Sequence, residues 1–215
     1  LKGSGLYQNR EQYGLVCRSD APYEILCTPW ISFDELLRLK RTAEMVELYY
    51  NTLRYRQSLS ALLSQFSTPF DCFEALADFY EANGYHLAPH TKLENYTILF
   101  RFYESIAPER AEWFSWILRF DLYAHEKAKK LPPFMDEGKK AEYHSRIYAF
   151  FDDPQARAAY LPEYAEMDTR QIIRSAHIEV FPFNPFTHTP GDTAVLFNYR
   201  RLTFDKNASA VMISL

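Results

Sequence analysis

Asp121 and His125 stand four residues apart in a segment patterned as a helix, so both can project from one face. His144 falls on the next segment of that kind. One carboxylate with two imidazoles is a donor set that zinc and iron accept, and it makes a metal-dependent enzyme one reading of the chain. Solvated side chains or polar contacts between helices are the favoured reading, because no partner that would orient the three groups stands out. His86 and His90 repeat the spacing, but Pro89 denies them a regular helix. Cys72 sits in the first turn of a helix after Phe70-Asp71, where the dipole lowers a thiol pKa. Its apolar neighbours favour a buried structural cysteine instead.

Other chemistries are excluded by missing residues. A hydrolase nucleophile elbow would need Gly-x-Ser-x-Gly, which does not occur. Gly3-Ser4-Gly5 has Gln8 where a dinucleotide fold places its third glycine. Gly138-Lys139 has Pro133 in place of the upstream glycine of a phosphate loop, and no Ser or Thr follows. The densest mixture of rings and cations is Tyr49, Tyr50, Arg54, Tyr55 and Arg56. Such a surface contacts an organic anion or a neighbouring domain through stacking and charge-assisted hydrogen bonds. Core packing with solvated arginines is the plainer account of it.

The elements that must position these residues are mostly helices. Residues 1–31 read as an irregular lead-in with extended pieces at Leu15–Arg18 and Glu24–Thr28, punctuated by Pro22 and Pro29. Ser32 and Glu35 form a capping box. From there Leu36, Leu39, Ala43, Val46, Tyr50 and Leu53 make one apolar stripe on a helix expected over Phe33–Tyr55, with Tyr49 off the stripe. A short helix follows around Leu59–Phe66. Thr68 caps the next, with Pro69 at its first position, Phe70, Phe73, Leu76, Ala77 and Tyr80 inward, and Gly84 as its stop. Thr91 and Glu94 box another helix to Ser105. Pro108 opens a long one, ended by Pro132-Pro133, so that Lys127–Lys130 would lie on its last turn and complement its dipole. Helices resume over Lys139–Phe151, from Pro154 and over Asp168–Arg174. The last forty residues turn β-rich at Ile178, Val180, Ala194–Tyr199 and Ala210–Ile213, with turns at Gly191-Asp192 and Asp205-Lys206-Asn207. The expected fold is mainly α within the α+β class: a helical bundle-like domain over 32–175 and a small antiparallel sheet over 176–215 packed on it.

Composition bounds the function further. Lys and Arg number 24 and Asp and Glu 28, a formal charge of −4, which lacks the basic surplus a nucleic-acid binder needs. No apolar run is long enough to span a membrane. Cys17, Cys27 and Cys72 are odd in number and follow no metal-ligand spacing, as expected of reduced thiols in a cytoplasm. Leu1 opens the chain with neither an initiator Met nor the charged and apolar regions of a signal peptide, as expected of a piece of a longer protein.

Leu1-Lys2-Gly3-Ser4-Gly5-Leu6 resembles the segment that closes the barrel of many radical SAM enzymes. Ala21–Leu26, Trp30-Ile31-Ser32 and Met45–Asn51 resemble the C-terminal domain of unknown function that trails cobalamin-binding radical SAM proteins, Fe–S oxidoreductases related to the anaerobic magnesium-protoporphyrin IX monomethyl ester cyclase. Phe70–Tyr85 and Val195–Tyr199 are similar as well. The resemblance implies an auxiliary domain of a bacterial enzyme whose [4Fe–4S] cluster, S-adenosylmethionine and cobalamin lie upstream, since the cysteines here cannot form C-x-x-x-C-x-x-C. No catalytic, cofactor-binding or metal-binding residue of that family maps onto this chain. Residues 1–31 would then be the lead-in from the barrel. The expected partner is the barrel of the same chain, met through Tyr23, Trp30, Tyr49, Arg54, Tyr55 and Arg56, with self-association through that face once it is exposed. A stand-alone helical interaction domain is the alternative.

Overall fold

The computed structural model describes residues 3–135, 138–204 and 207–215. The lead-in contains a helical turn, α1 (Gly5–Gln8), which the sequence reading missed, capped by the Ser4 hydroxyl accepting from Tyr7 N–H. The two extended pieces then pair as an antiparallel hairpin, β1 (Val16–Cys17) with β2 (Ile25–Cys27). The Ser32 capping box is closed in both directions and starts α2 (Phe33–Met45). The expected helix does not run on to Tyr55. Its last turn, Val46–Tyr50, is π-type, with Asn51 N–H donating to Val46 C=O at 3.0 Å, and the chain then breaks at Leu53 with φ 58°.

α3 (Arg56–Leu63) and α4 (Pro69–Ala82) follow, the latter boxed by Thr68 and Asp71 and stopped before a left-handed Gly84. Phe70, expected inward, is exposed. α5 (Lys92–Ile106) is boxed by Thr91 and Glu94. A 3₁₀ turn from Pro108 leads into α6 (Ala111–His125). α6 ends well short of Pro132, so Lys127–Lys130 lie beyond it. Lys127 Nζ instead donates to the Ile173 and Ala176 carbonyls, at the C-terminus of a different helix. The dipole reading was right in kind and wrong in helix.

α7 (Lys140–Asp152), α8 (Pro154–Tyr160) and α9 (Thr169–Ser175) precede the sheet, β3 (Ala176–Phe183), β4 (Pro190–Leu202) and β5 (Ala208–Ile213), ordered β3-β4-β5 and antiparallel. Gly191-Asp192 is not a turn but lies within β4. The chain reverses over Asn184–Thr189, where Asn184 Oδ1 accepts from the Phe186 and Thr187 amides. In the other expected turn, Asp205 and Lys206 lie outside the described residues.

α6 is apolar around most of its circumference and is buried accordingly. Phe114, Leu118 and Leu122 enter the helical core with Leu62, Leu76, Leu99 and Tyr103. Ile117, Phe120 and Tyr123 meet Phe181, Val195 and Phe197 on one face of the sheet. The opposite face of the sheet, Ile178, Val180 and Leu196, is covered by Ile147 and Phe151 of α7, Leu161 and Tyr164 after α8, and Ile172 of α9. The sheet is therefore the middle layer between α6 and α7–α9. β3 is buried on both sides nearly throughout, as its position demands.

Candidate functional site

Alternation along β3 decides which side chains meet α6. Residues 177, 179, 181 and 183 share a face, and Phe181 and Phe183 place that face against α6. His177 and Glu179 are therefore carried into the same layer, buried, opposite Arg119 and Tyr123. His177 Nε2 is 3.2 Å from Glu179 Oε2. The Tyr123 ring stacks on the imidazole at 3.9 Å between centroids. Glu179 Oε1 lies 3.6 Å from Arg119 Nη1, and the guanidinium sits 4.4 Å over the Trp116 ring. A carboxylate this deep is tolerated because a guanidinium and an imidazole face it. Burial and then the Glu179 charge push the Tyr123 hydroxyl well above its ordinary value, so it stays neutral and donates. Gly138 closes over this group with φ 63°, and a Cβ there would collide with the Arg119 guanidinium.

Tyr123, His177 and Glu179 of this network form the inner wall of a cleft of about 930 Å³ between α6, α7, α9 and β3. Its walls carry Ala128, Leu131, Ala141 and Ile173, and its mouth Lys129, Arg174 and His144. That size lies in the range of small-molecule sites, as does the mixture of apolar wall and a few convergent polar groups. The Glu179 carboxylate fixes the orientation of the His177 ring, a prerequisite for an imidazole that is to bind or move a proton.

Sequence reasoning missed this site, although a signal was present. In Ala176-His177-Ile178-Glu179-Val180-Phe181, ionisable groups occupy alternate positions of an apolar run, and Arg119 interrupts an otherwise apolar stretch of α6. Charges on the inward face of buried elements require one another.

The constellation that the sequence did single out is not assembled. Asp121 is buried and accepts from Gln57 N–H at 3.1 Å, Ser58 N–H at 2.7 Å and Ser58 Oγ at 2.5 Å. It caps α3, whose own N-cap residue Tyr55 offers no side-chain acceptor. Burial pushes the Asp121 carboxyl up to about 7 against the opposing effect of those hydrogen bonds. His125 Nδ1 is 3.2 Å from Asn207 Oδ1, with its pKa lowered by burial and by Arg54. His144 is on the cleft mouth. Among the described residues no group of three or more His, Cys, Asp or Glu is placed to hold a metal. The metal enzyme using Asp121, His125 and His144 is corrected on that geometry.

The aromatic candidates divide. Tyr49 is 1% exposed and Tyr50 55%, the reverse of the expected stripe. The buried face of this helix runs through Thr42, Met45 and Tyr49, spaced three and four apart, and Leu39 and Ala43 of the expected stripe are already exposed ahead of the π-type turn. Tyr49 Oη meets Tyr80 Oη at 2.6 Å and donates to Asn95 C=O at 3.1 Å. Tyr55 is buried against Tyr49 and Tyr96. Both rings reach only the back of a cavity of about 450 Å³ whose rim carries Tyr50, Leu53, Arg56 and Phe204. Arg54 is half-buried beside His125. Tyr23 is half-buried at φ 58°, edge-on to Tyr7, and Trp30 is 80% exposed. Cys72 is buried, its thiol pushed up to about 12, on α4, while Cys17 and Cys27 lie on the hairpin. The three thiols do not converge, and they do not fit an iron–sulfur cluster.

Fold and cleft together define a mainly helical α+β domain that holds a small antiparallel sheet between helical layers. The chain belongs to the family described as a protein of unknown function (DUF4080), which matches residues 11–197 and so includes every residue lining the cleft. No curated protein and no solved structure matches it.

Proposed function

We infer that this chain is the auxiliary C-terminal domain of a cobalamin-dependent radical SAM enzyme, packed on the barrel of the same chain and helping to shape its substrate cleft. The observation that carries the docking role is the lead-in. None of the described residues up to Ile31 is buried, and Leu6, Tyr13, Val16 and Trp30, with Phe33 and Leu39 on α2, expose large apolar groups. Gathered on one stretch of the chain that buries no residue of its own, they are what a surface covered by another body would present. An interface between domains of one chain buries about 600 to 1,500 Å². The resemblance of residues 1–6 to a barrel-closing segment supplies the identity of that body. The cluster, S-adenosylmethionine and corrinoid belong upstream in this reading, in a reducing cytoplasm. Among the described residues no helix is long and apolar enough to cross a membrane.

Hydrogen exchange on the 215-residue chain and on the full open reading frame tests the proposal. Protection of residues 3–31 should rise at least tenfold in the longer protein. Equal protection in both makes the lead-in a strap on its own helices and overturns the docking role. A reading frame without a cluster-binding cysteine triad overturns the enzyme class and leaves a stand-alone interaction domain.

A further inference from the structure

We propose that the cleft between α6, α7, α9 and β3 is a binding site for an amphipathic organic anion, a carboxylate or phosphate group on an apolar body. The inference is independent of the docking role. Four observations carry it.

The first is the charge inside the cleft. Its lining holds Lys127, Lys129 and Arg174 against the single carboxylate of Glu179, in a chain whose net charge is −4. Glu179 is answered from behind by Arg119, and Lys127 is turned onto the carbonyl end of α9. Lys129 and Arg174 remain at the mouth, and neither has an ion-pair partner among the described residues. Cations that share a concavity with low-dielectric walls raise the local concentration of anions.

The second is the apolar continuation. A smaller cavity of about 190 Å³ shares Lys127, His144, Ile173 and His177 with the main cleft and adds Ile147, Phe151 and Ile178. An apolar body seated there would be shielded from water while its head group stays at the mouth.

The third is the wall. The His177 ring is held between the Tyr123 face and the Glu179 carboxylate, so a polar group is presented at a fixed position on the wall. The fourth is the size of the cleft, which exceeds what a free inorganic anion needs and suits a small molecule.

Titration of the 215-residue chain with hexanoate, hexyl phosphate, inorganic phosphate and 1-hexanol, followed by calorimetry and by amide chemical shifts, tests the site. At least one of the two hexyl anions should bind at one equivalent, shifting the amides of Ala128 and Ile173. Whichever binds more tightly names the head group. Hexanol and inorganic phosphate should each bind at least tenfold more weakly. The Lys129→Gln/Arg174→Gln double variant changes only exposed groups and should lose at least tenfold in affinity. Ala141→Trp, which fills the cleft from α7, should abolish binding with the circular dichroism spectrum unchanged. Absence of stoichiometric binding by either anion, hexanol binding as tightly as the anions, or affinity unchanged in both variants would overturn the site. None of these outcomes touches the exchange behaviour of residues 3–31.

Discussion

Asp121 links the helical core to pH. Its carboxyl, ordinarily near 3.8, is pushed up to about 7 by burial, so the folded state holds a proton that the unfolded chain has released. Folding therefore takes up a proton between those values, and the cost of the buried carboxylate grows as pH rises from 4 to 7. A shift of this size corresponds to about 4 kcal/mol, absent below pH 4 and fully present above pH 7. Glu24, Glu35, Glu94 and Asp192 have lowered pKa values and pull stability the opposite way in acid. The difference between wild type and Asp121→Asn isolates the buried group. Urea unfolding at pH 4.5 and 7.5 should show the variant gaining about 3 kcal/mol relative to wild type at the higher pH. An equal difference at both pH values would refute this account. A sequence shows that Asp121 and His125 share a helix, but not that the carboxylate turns to the bare N-terminus of α3. That partner is 63 positions away along the chain, and no local spacing encodes it. The His177–Glu179 pair differs, since alternation inside an apolar strand was readable and was passed over.

Among the elements, helix starts were legible because their determinants are local. The caps at Ser32, Thr68 and Thr91 each satisfy backbone donors within four residues, and each was found where the sequence put it. Helix ends were less legible. The π-type turn at Val46–Tyr50 contains no residue that breaks helices, so nothing local marked it. The apolar stripe was itself set on the wrong face: Thr42, Met45 and Tyr49 are buried, whereas Leu39, Ala43 and Tyr50 are exposed. The two faces make opposite demands. Tyr49→Ala opens the helical core and should cost about 3–5 kcal/mol. Tyr50→Ala, on the surface, should change stability by less than about 0.5 kcal/mol. Chemical denaturation of the two variants measures both, and the reverse order would mean that the stripe through Tyr50 is the buried face after all.

For the whole molecule, α6 makes the two cores one cooperative unit. Leu118 belongs to the helical core and Phe120, two residues on, to the layer under the sheet, yet both stand on one rigid rod. The division read from composition, helices and then strands, marked the sheet correctly but gave no sign that a single helix serves both. Its hint was the apolar character of α6 around most of its circumference, which a one-sided amphipathic helix would not show. If the sheet were an appendage, damage to its contacts would melt it ahead of the helices. With α6 shared, loss of either set of contacts must weaken the same transition. Leu118→Ala should cost about 2–5 kcal/mol and Phe120→Ala about 3–5 kcal/mol. In each variant, helical circular dichroism should lose signal at the same denaturant concentration as the fluorescence of Trp113 and Trp116, which lie on the sheet side of α6. Coincidence of two probes is the mark of an all-or-none transition. A fluorescence change that precedes the loss of helix in Phe120→Ala, but not in Leu118→Ala, would separate the sheet layer from the helical body and break the unit that α6 is argued to create.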